Sequence, residues 1–153
     1  MLNKNKNIYK YNCNLNNNIL KSVKEIRDLG VFMDLKMIFD LHNEMIINSC
    51  NRMLAFILKN NRNFENPKTL LVLYYAFNYS RLNFASVVWN LQYVNYQRRL
   101  ESIQNKFLRC LAKKSNLQIM DSNYIPIRNK FSLLSLVNRR NVSDLVMFYT
   151  III

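Results

Sequence analysis

Apolar residues recur three and four positions apart over most of this chain, the spacing of one face of an α-helix. The pattern predicts three long helices at residues 40–59, 67–79 and 95–113 and two shorter ones at about residues 127–137 and 139–152. The sequence contains one Gly and two Pro, so few positions can break these helices. The expected fold class is therefore mainly α.

Each predicted helix has an apolar face that we expect to be buried. We expect one core in which side chains of the three long helices meet, namely Leu54, Ile57, Leu73, Phe77, Ile103 and Phe107. The inward face of the first helix also includes Leu41 and Met45. The two shorter helices should bury Phe131, Leu134, Val142, Leu145, Val146 and Tyr149. Asp40 is a candidate N-cap for the first helix, and Asn66 followed by Pro67 is a helix start for the second.

The region before the first helix differs from the rest of the chain in its composition and its periodicity. Residues 1–19 are rich in Asn and Lys, and we interpret them as a disordered leader. Residues 20–36 have poor helical periodicity around a lone Gly30, which favours a short strand pair turning at Asp28-Leu29-Gly30. Residues 37–153 then form one helical domain. Its apolar end, Ile151-Ile152-Ile153, is what we expect of a truncated chain.

The charge balance indicates a polyanionic partner. The formal net charge is +13, which favours contact with nucleic acid or an anionic membrane surface. Five cations fall opposite the apolar face of the third long helix, with no acidic residue among them: Arg98, Arg99, Lys106, Arg109 and Lys113. Such a face suits phosphate binding. The alternatives are an ordinary solvated helix face and a lysine excess caused by A/T-rich coding.

Candidates for catalysis are few. Two-metal catalysis needs converging carboxylates, and no two acidic residues are adjacent in this sequence. Asp34 and Asp40 are better interpreted as residues that flank a helix start. His42 is the only histidine and has no Cys at zinc spacing, which favours a packing role. One glycine cannot build a phosphate loop. We therefore assign no catalytic residue, metal ligand or cofactor.

Cysteine usage and hydropathy bear on the compartment. Cys13, Cys50 and Cys110 show neither disulfide-framework nor metal spacing, so we expect an intracellular protein, cytoplasmic or nuclear. The N-terminus has no apolar core of a signal peptide. The longest apolar run, Leu70 to Phe77, is far shorter than the roughly 20 residues that span a bilayer.

Several short stretches, in this order and spacing, resemble the reverse transcriptase of jockey-type non-LTR retrotransposons downstream of its catalytic aspartates. They are Val23-Lys24-Glu25-Ile26-Arg27-Asp28-Leu29-Gly30-Val31, Asn51 to Ile57, Asn66-Pro67, Leu82 to Trp89 and Leu100 to Arg109. Leu133, Leu136, Arg139 and Arg140 resemble a Leu-rich, double-Arg segment beyond. The chain departs from the family pattern at Asp28, Asn83 and Asn90.

The resemblance implies that residues 20–36 are the end of a palm, with Leu29 and Gly30 in a primer-grip-like hairpin, and that residues 37–153 are a helical thumb. The intact enzyme would use Mg²⁺, but the catalytic aspartates have no counterpart here. The implied function is weak, non-sequence-specific binding to the backbone of an RNA/DNA duplex. The alternatives are an inert remnant of a degraded mobile element and a small basic helical protein that packs on another chain or an anionic membrane. The oligomeric state stays open.

Overall fold

The computed structural model describes residues 14–16, 18–89, 94–119 and 123–153. Within these residues, two short antiparallel strand pairs precede a helical bundle, which confirms the mainly α fold class. The strands are β1 (Asn14–Leu15), β2 (Asn18–Ile19), β3 (Glu25–Asp28) and β4 (Val31–Asp34). The helices are α1 (Asp40–Asn60), α2 (Pro67–Tyr74), α3 (Ser80–Asn83), α4 (Val94–Lys114), α5 (Ile125–Lys130) and α6 (Leu136–Ile152).

The hairpin of β3 and β4 turns where the sequence predicts. Asp28 pairs with Val31, which leaves Leu29 and Gly30 as a two-residue loop with φ angles of 45° and 88°. Two positive φ values match the type I′ turn, whose twist suits the flanking strands. Nearer the N-terminus, β1 pairs with β2 inside the predicted disordered leader, so the described end of that leader is an exposed strand pair. Residues 1–13 and residue 17, the rest of the predicted leader, lie outside the described residues.

The approach to α1 is organised by Asp34. Its carboxylate accepts hydrogen bonds from the backbone N–H groups of Lys36, Ile38 and Phe39 at 2.8, 3.1 and 3.0 Å. These bonds, led by the one from Ile38, hold the pKa of Asp34 below its usual value. Phe39 occupies the N-cap position with a φ of 61° and no side-chain hydrogen bond, and Asp40 is the first helical residue. The prediction that Asp40 caps α1 is therefore wrong.

The bundle is built around two parallel helices. Glu44 of α1 contacts Arg99 of α4, and Asn61 just beyond α1 contacts Lys114 at the end of α4, so the two helices run side by side in one direction. The segment from α2 to α3 returns antiparallel to α1, and Asn78 there donates to the Cys50 carbonyl at 3.3 Å. Asn66 caps α2 through the Lys68 N–H at 2.8 Å, as predicted.

A wide helical turn changes which side chains the return segment buries. Tyr75–Tyr79 is π-helical and joins α2 to α3. The buried positions are Leu70, Tyr74, Asn78 and Leu82, four residues apart, as an underwound helix requires. The predicted burial of Leu73 and Phe77 assumed an ordinary helical turn. Leu73 is only half-buried, and Phe77 is 39% exposed.

The core lies between α1, the α2–α3 segment and α4. Leu54, Ile57, Ile103 and Phe107 are buried there, as predicted. The ring of Phe107 stacks on that of Tyr74, with centroids 4.0 Å apart and planes 8° from parallel. Leu41 and Met45 are exposed, contrary to prediction, because α1 turns the polar residues His42 and Asn43 inward. The apolar pattern of the sequence does not indicate that α1 buries His42 and Asn43 in place of Leu41 and Met45.

The C-terminal part departs most from prediction. The helix expected at about residues 127–137 is instead α5, which ends at Lys130, followed by a break and a new start at Leu136. Ser135 causes that start, because its hydroxyl caps α6 by accepting from the Asn138 N–H at 3.2 Å. Phe131 is half-buried, but Leu134 lies in the break and is exposed. Of α6, only Leu136 and Arg140 are buried, so the predicted burial of Val142, Leu145, Val146 and Tyr149 is wrong for the single chain.

Candidate nucleic-acid interface

The predicted cations of α4 do lie on the side of the helix that faces away from the core. Arg98, Lys106, Arg109 and Lys113 are exposed, and Arg99 is half-buried. The opposite side carries Leu100, Ile103, Phe107 and Leu111, all buried. No carboxylate in the described part of the chain pairs with Arg98, Lys106 or Lys113. These three side chains are therefore free to meet an anion.

Arg99 is not free in the same way. Its guanidinium donates to both carboxylate oxygens of Glu44 on α1, and the second of these bonds measures 2.9 Å. The Arg99 hydrogen bond lowers the pKa of Glu44, and the same bond raises the pKa of Arg99. Both side chains are more than a third exposed, so the pair contributes little to stability. Glu44 does compensate the charge of Arg99, one of the five predicted cations. A helical wheel of α4 alone cannot show this, because Glu44 lies on α1.

Arg109 is partly engaged by the neighbouring chain segment. Its Nε donates to the Tyr124 hydroxyl at 2.7 Å, and the guanidinium carbon lies 5.8 Å from the Tyr124 ring centre. Arg109 and Lys113 line an open groove of about 410 Å³ whose other walls are apolar, including Leu117 and Ile119. The terminal nitrogens of Arg109 remain available at this groove, while its Nε is used.

A second groove follows the seam between α1 and α4. It has a volume of about 290 Å³ and is lined by Ile47, Asn51, Arg98, Arg99, Ser102 and Lys106, none of them acidic. Sequence reasoning missed Arg52 and Lys59 on α1, which are both exposed. Their spacing of seven residues puts them on one face of α1 and is the signal that could have found them. The cations of α4 are thus accompanied by positive charge on the helix beside it.

The predicted hairpin site lies beside the N-terminal half of α1, where the Phe32 N–H donates to His42. Leu29 is 86% exposed at the tip, with Gly30 beside it. A Cβ atom added to Gly30 would stand 3.6 Å from the Phe84 ring, an ordinary contact, so the positive φ rather than crowding is what favours glycine there. The structure does not bring Leu29 and Gly30 together with the α4 cations, since neither groove that these cations line includes a residue of the hairpin.

His42 behaves as a packing residue. It is 3% exposed, and its Nδ1 accepts a hydrogen bond from the Phe32 N–H at 3.4 Å. Its ring meets that of Trp89 edge-on at 5.3 Å. Burial lowers the pKa of His42, which favours the neutral imidazole that this hydrogen bond requires. These contacts fix the start of α1 against the hairpin and Trp89.

Metal-ligating residues are dispersed. Across the described ranges, no three His, Cys, Asp or Glu side chains come close enough together to hold a metal ion. Asp34 is occupied by its three backbone donors. The assignment of no metal ligand and no catalytic residue stays a prediction from the sequence.

Comparison of the chain with models of protein families, with curated proteins and with solved structures gives no match. Over the residues that the structure describes, none of the helices combines the length and apolar character needed to cross a bilayer.

Proposed function

We propose that this chain is the end of the palm and the thumb of a jockey-type non-LTR retrotransposon reverse transcriptase, without its catalytic part, and that α4 binds the backbone of a nucleic-acid duplex. One observation carries the binding: Arg98, Lys106 and Lys113 are exposed on one side of α4, with no described carboxylate paired to them. Unpaired cations of this kind displace counterions from phosphates. Contacts of this type position a duplex without reading its sequence.

The motif residues of α4 connect this helix to the C-terminal part of the chain. Glu101 accepts hydrogen bonds from the Arg128 guanidinium and from the Leu136 N–H, the latter at 3.2 Å. Gln104 donates to the Leu134 carbonyl at 2.9 Å, and Phe107 fills the core. These are contacts between helices, so these motif residues have structural roles in this chain.

Two further motifs of the resemblance meet each other in space. The guanidinium carbon of Arg140 lies 4.8 Å from the Trp89 ring centre, and that of Arg139 lies 3.6 Å from the Tyr79 ring centre. The double arginine therefore holds α6 to the α2–α3 segment and the turn after it. It is not part of the surface that we assign to phosphate binding.

The structure revises the expected strength of binding. A sequence-based count of four or five phosphate contacts implies a slope of log K against log salt near −4 for B-DNA, at about −0.9 per contact. Because Glu44 holds Arg99, we now expect three contacts from Arg98, Lys106 and Lys113 and at most one more from Arg109. The expected slope is therefore about −3 to −4, and it should be the same for unrelated sequences.

A salt titration of duplex binding tests this proposal. Fluorescence anisotropy of a labelled duplex is measured for the wild type, Lys106→Gln and the matched control Lys130→Gln. Lys130 is an exposed lysine of α5 that lines neither of the grooves formed by the α4 cations, and both variants lose the same charge. Lys106→Gln should weaken binding to every sequence and reduce the slope by about one, whereas Lys130→Gln should leave the slope unchanged.

Two results would count against duplex binding by α4. Equal effects of the two substitutions would mean that net charge alone attracts the nucleic acid. If the wild type does not bind the duplex at low salt, the chain is better explained as an inert remnant. If this chain then binds anionic vesicles in the same buffer, its partner is a membrane surface instead.

A further inference from the structure

The C-terminal apolar segment, which we define as residues 142–153, is the largest exposed apolar feature of the described chain. Its nine large apolar residues are each between 44% and 83% exposed: Val142, Leu145, Val146, Met147, Phe148, Tyr149, Ile151, Ile152 and Ile153. A helix that is apolar on most sides is normally covered. In a single chain, nothing among the described residues covers this one.

The hydroxyls of Ser143 and Thr150 in this segment are compatible with burial. Ser143 donates its hydroxyl hydrogen to the Arg139 carbonyl at 3.2 Å, and Thr150 donates to the Val146 carbonyl at 2.8 Å. Both hydroxyls are thus satisfied within their own helix. Burial lowers the pKa of Arg140, and the carboxylates of Glu101 and then Asp144 act against this lowering. Covering the apolar face therefore leaves neither the Ser143 hydroxyl nor the Thr150 hydroxyl without a partner.

We infer that the C-terminal apolar segment is a self-association surface, which pairs with the same segment of a second copy of this chain. Val142, Leu145, Tyr149 and Ile152 follow one another at steps of three, four and three, so they form one continuous stripe along α6. A two-fold axis brings two such stripes face to face, since a symmetric contact uses the same patch on both copies. The inference goes beyond the proposed nucleic-acid binding and uses a different surface.

Charge favours a second copy over the other occupants. Residues 141–153 contain no Lys or Arg, although the chain as a whole has a formal charge of +13. An acidic partner would be recognised through cations, and a helix that lies on an anionic membrane carries basic residues along its polar face. Two copies that meet only through this segment bring no cations of the segment into contact. The stripe residues are uncharged, so two copies can meet through this stripe without bringing like charges together.

The available area suits a weak dimer. With on the order of 100 Å² exposed on each of the nine side chains, against about 150–250 Å² for a whole aromatic side chain, the segment presents roughly 900 Å². Covering about half of this on each copy buries roughly 900 Å² in total, about three quarters of the ~1,200 Å² that the smallest standard interfaces bury. We therefore expect a reversible monomer–dimer equilibrium rather than an obligate dimer.

Salt dependence separates this association from nucleic-acid binding. Like-charged chains repel, and salt screens that repulsion, so dimerisation should strengthen as salt rises. Binding to phosphates weakens as salt rises. The two proposals thus predict opposite responses to the same variable, and either can fail without the other.

Sedimentation equilibrium over a range of protein and salt concentrations tests the inference with the full chain. The wild type should move from 18.4 kDa towards twice that mass as concentration rises, and more readily at high salt. The double variant Leu145→Glu with Tyr149→Glu places charge in the stripe and should stay monomeric. The matched control Met147→Glu with Thr150→Glu adds the same charge on the opposite side of α6 and should dimerise like the wild type. Because all four residues are exposed in the single chain, circular dichroism should show unchanged helix content.

Three outcomes would overturn the inference. If the wild type stays monomeric at the highest concentrations, the dimer does not form. If this monomer co-sediments with vesicles, the segment binds a membrane surface instead. If Met147→Glu with Thr150→Glu weakens the dimer as much as Leu145→Glu with Tyr149→Glu does, the stripe is not the contact. A dimer that survives Leu145→Glu with Tyr149→Glu would place the contact elsewhere on the chain.

Discussion

Replacing Tyr74 by Phe should stabilise this protein. Tyr74 is fully buried, and its hydroxyl has no hydrogen-bond partner among the described residues. Burial also raises the pKa of Tyr74, so the hydroxyl stays neutral at any ordinary pH. A buried, unpaired hydroxyl costs about 1–3 kcal/mol relative to a hydrated one. Phe removes the hydroxyl and keeps the ring that stacks on Phe107 at 4.0 Å.

We therefore expect Tyr74→Phe to raise the free energy of unfolding by about 1–2 kcal/mol, because packing is retained and only the desolvation cost is lost. For a chain of this length, that corresponds to roughly 3–6 °C in Tm. Urea denaturation followed by circular dichroism measures the change. Phe107→Ala, which empties the other half of the stack, should lower stability by about 3–5 kcal/mol.

Tyr75→Phe is the matched control. Tyr75 is the next residue in the chain and only half-buried, so removing its hydroxyl should change stability by less than about 0.5 kcal/mol. Destabilisation of Tyr74→Phe by about 1 kcal/mol or more would refute the reasoning, because it would mean that the Tyr74 hydroxyl donates a hydrogen bond in the native core.

Three further predictions follow from single side chains. Leu29→Asn should stabilise the hairpin by about 1 kcal/mol in urea denaturation, because Asn tolerates the positive φ of this position better than Leu does. Glu44→Gln should release Arg99 for phosphate contact, so duplex affinity should rise and the salt slope should steepen by about one. Burial raises the pKa of the Cys50 thiol from an ordinary 9.0 to about 11. The unfolded chain then loses this proton first as pH rises, so stability should fall by about 2–3 kcal/mol between those pH values, and Cys50→Ala should flatten that part of the pH profile.

The parts of the fold that depend on local sequence were predictable. The turn at Leu29 and Gly30 follows from a lone glycine in a poorly periodic stretch, and the start of α2 follows from Asn66 before Pro67. α1 and α4 extend only one residue beyond one or both of their predicted ends. In each case the deciding interactions lie within a few residues of one another, where propensity and periodicity act.

What could not be predicted depends on contacts between distant residues. The ion pair of Glu44 with Arg99 joins positions 55 residues apart, so no single helical wheel contains both partners. Asn78 replaces Phe77 in the core because of a π-helical turn that has no simple sequence signal. Arg140 is almost fully buried against Trp89, whereas charged side chains are expected at the surface unless a partner is known. The exposed positions of the candidate site were therefore easier to predict than their partners.

The parallel arrangement of α1 and α4 has an electrostatic consequence for the cations at their shared end. Both helices direct their carboxyl-terminal dipole ends, each about half a negative elementary charge, to the same place. Lys114 donates to the Asn61 carbonyl there at 3.1 Å, and Lys59 and Lys113 lie in the last turns of the two helices. The backbone thus partly balances Lys113, whereas Lys106, in the middle of α4, has no such balance. The attraction of Lys106 for a bound anion is therefore not reduced by the helix dipole. The attraction of Lys113 for the same anion is reduced, because the carboxyl-terminal end of α4 already balances part of its charge.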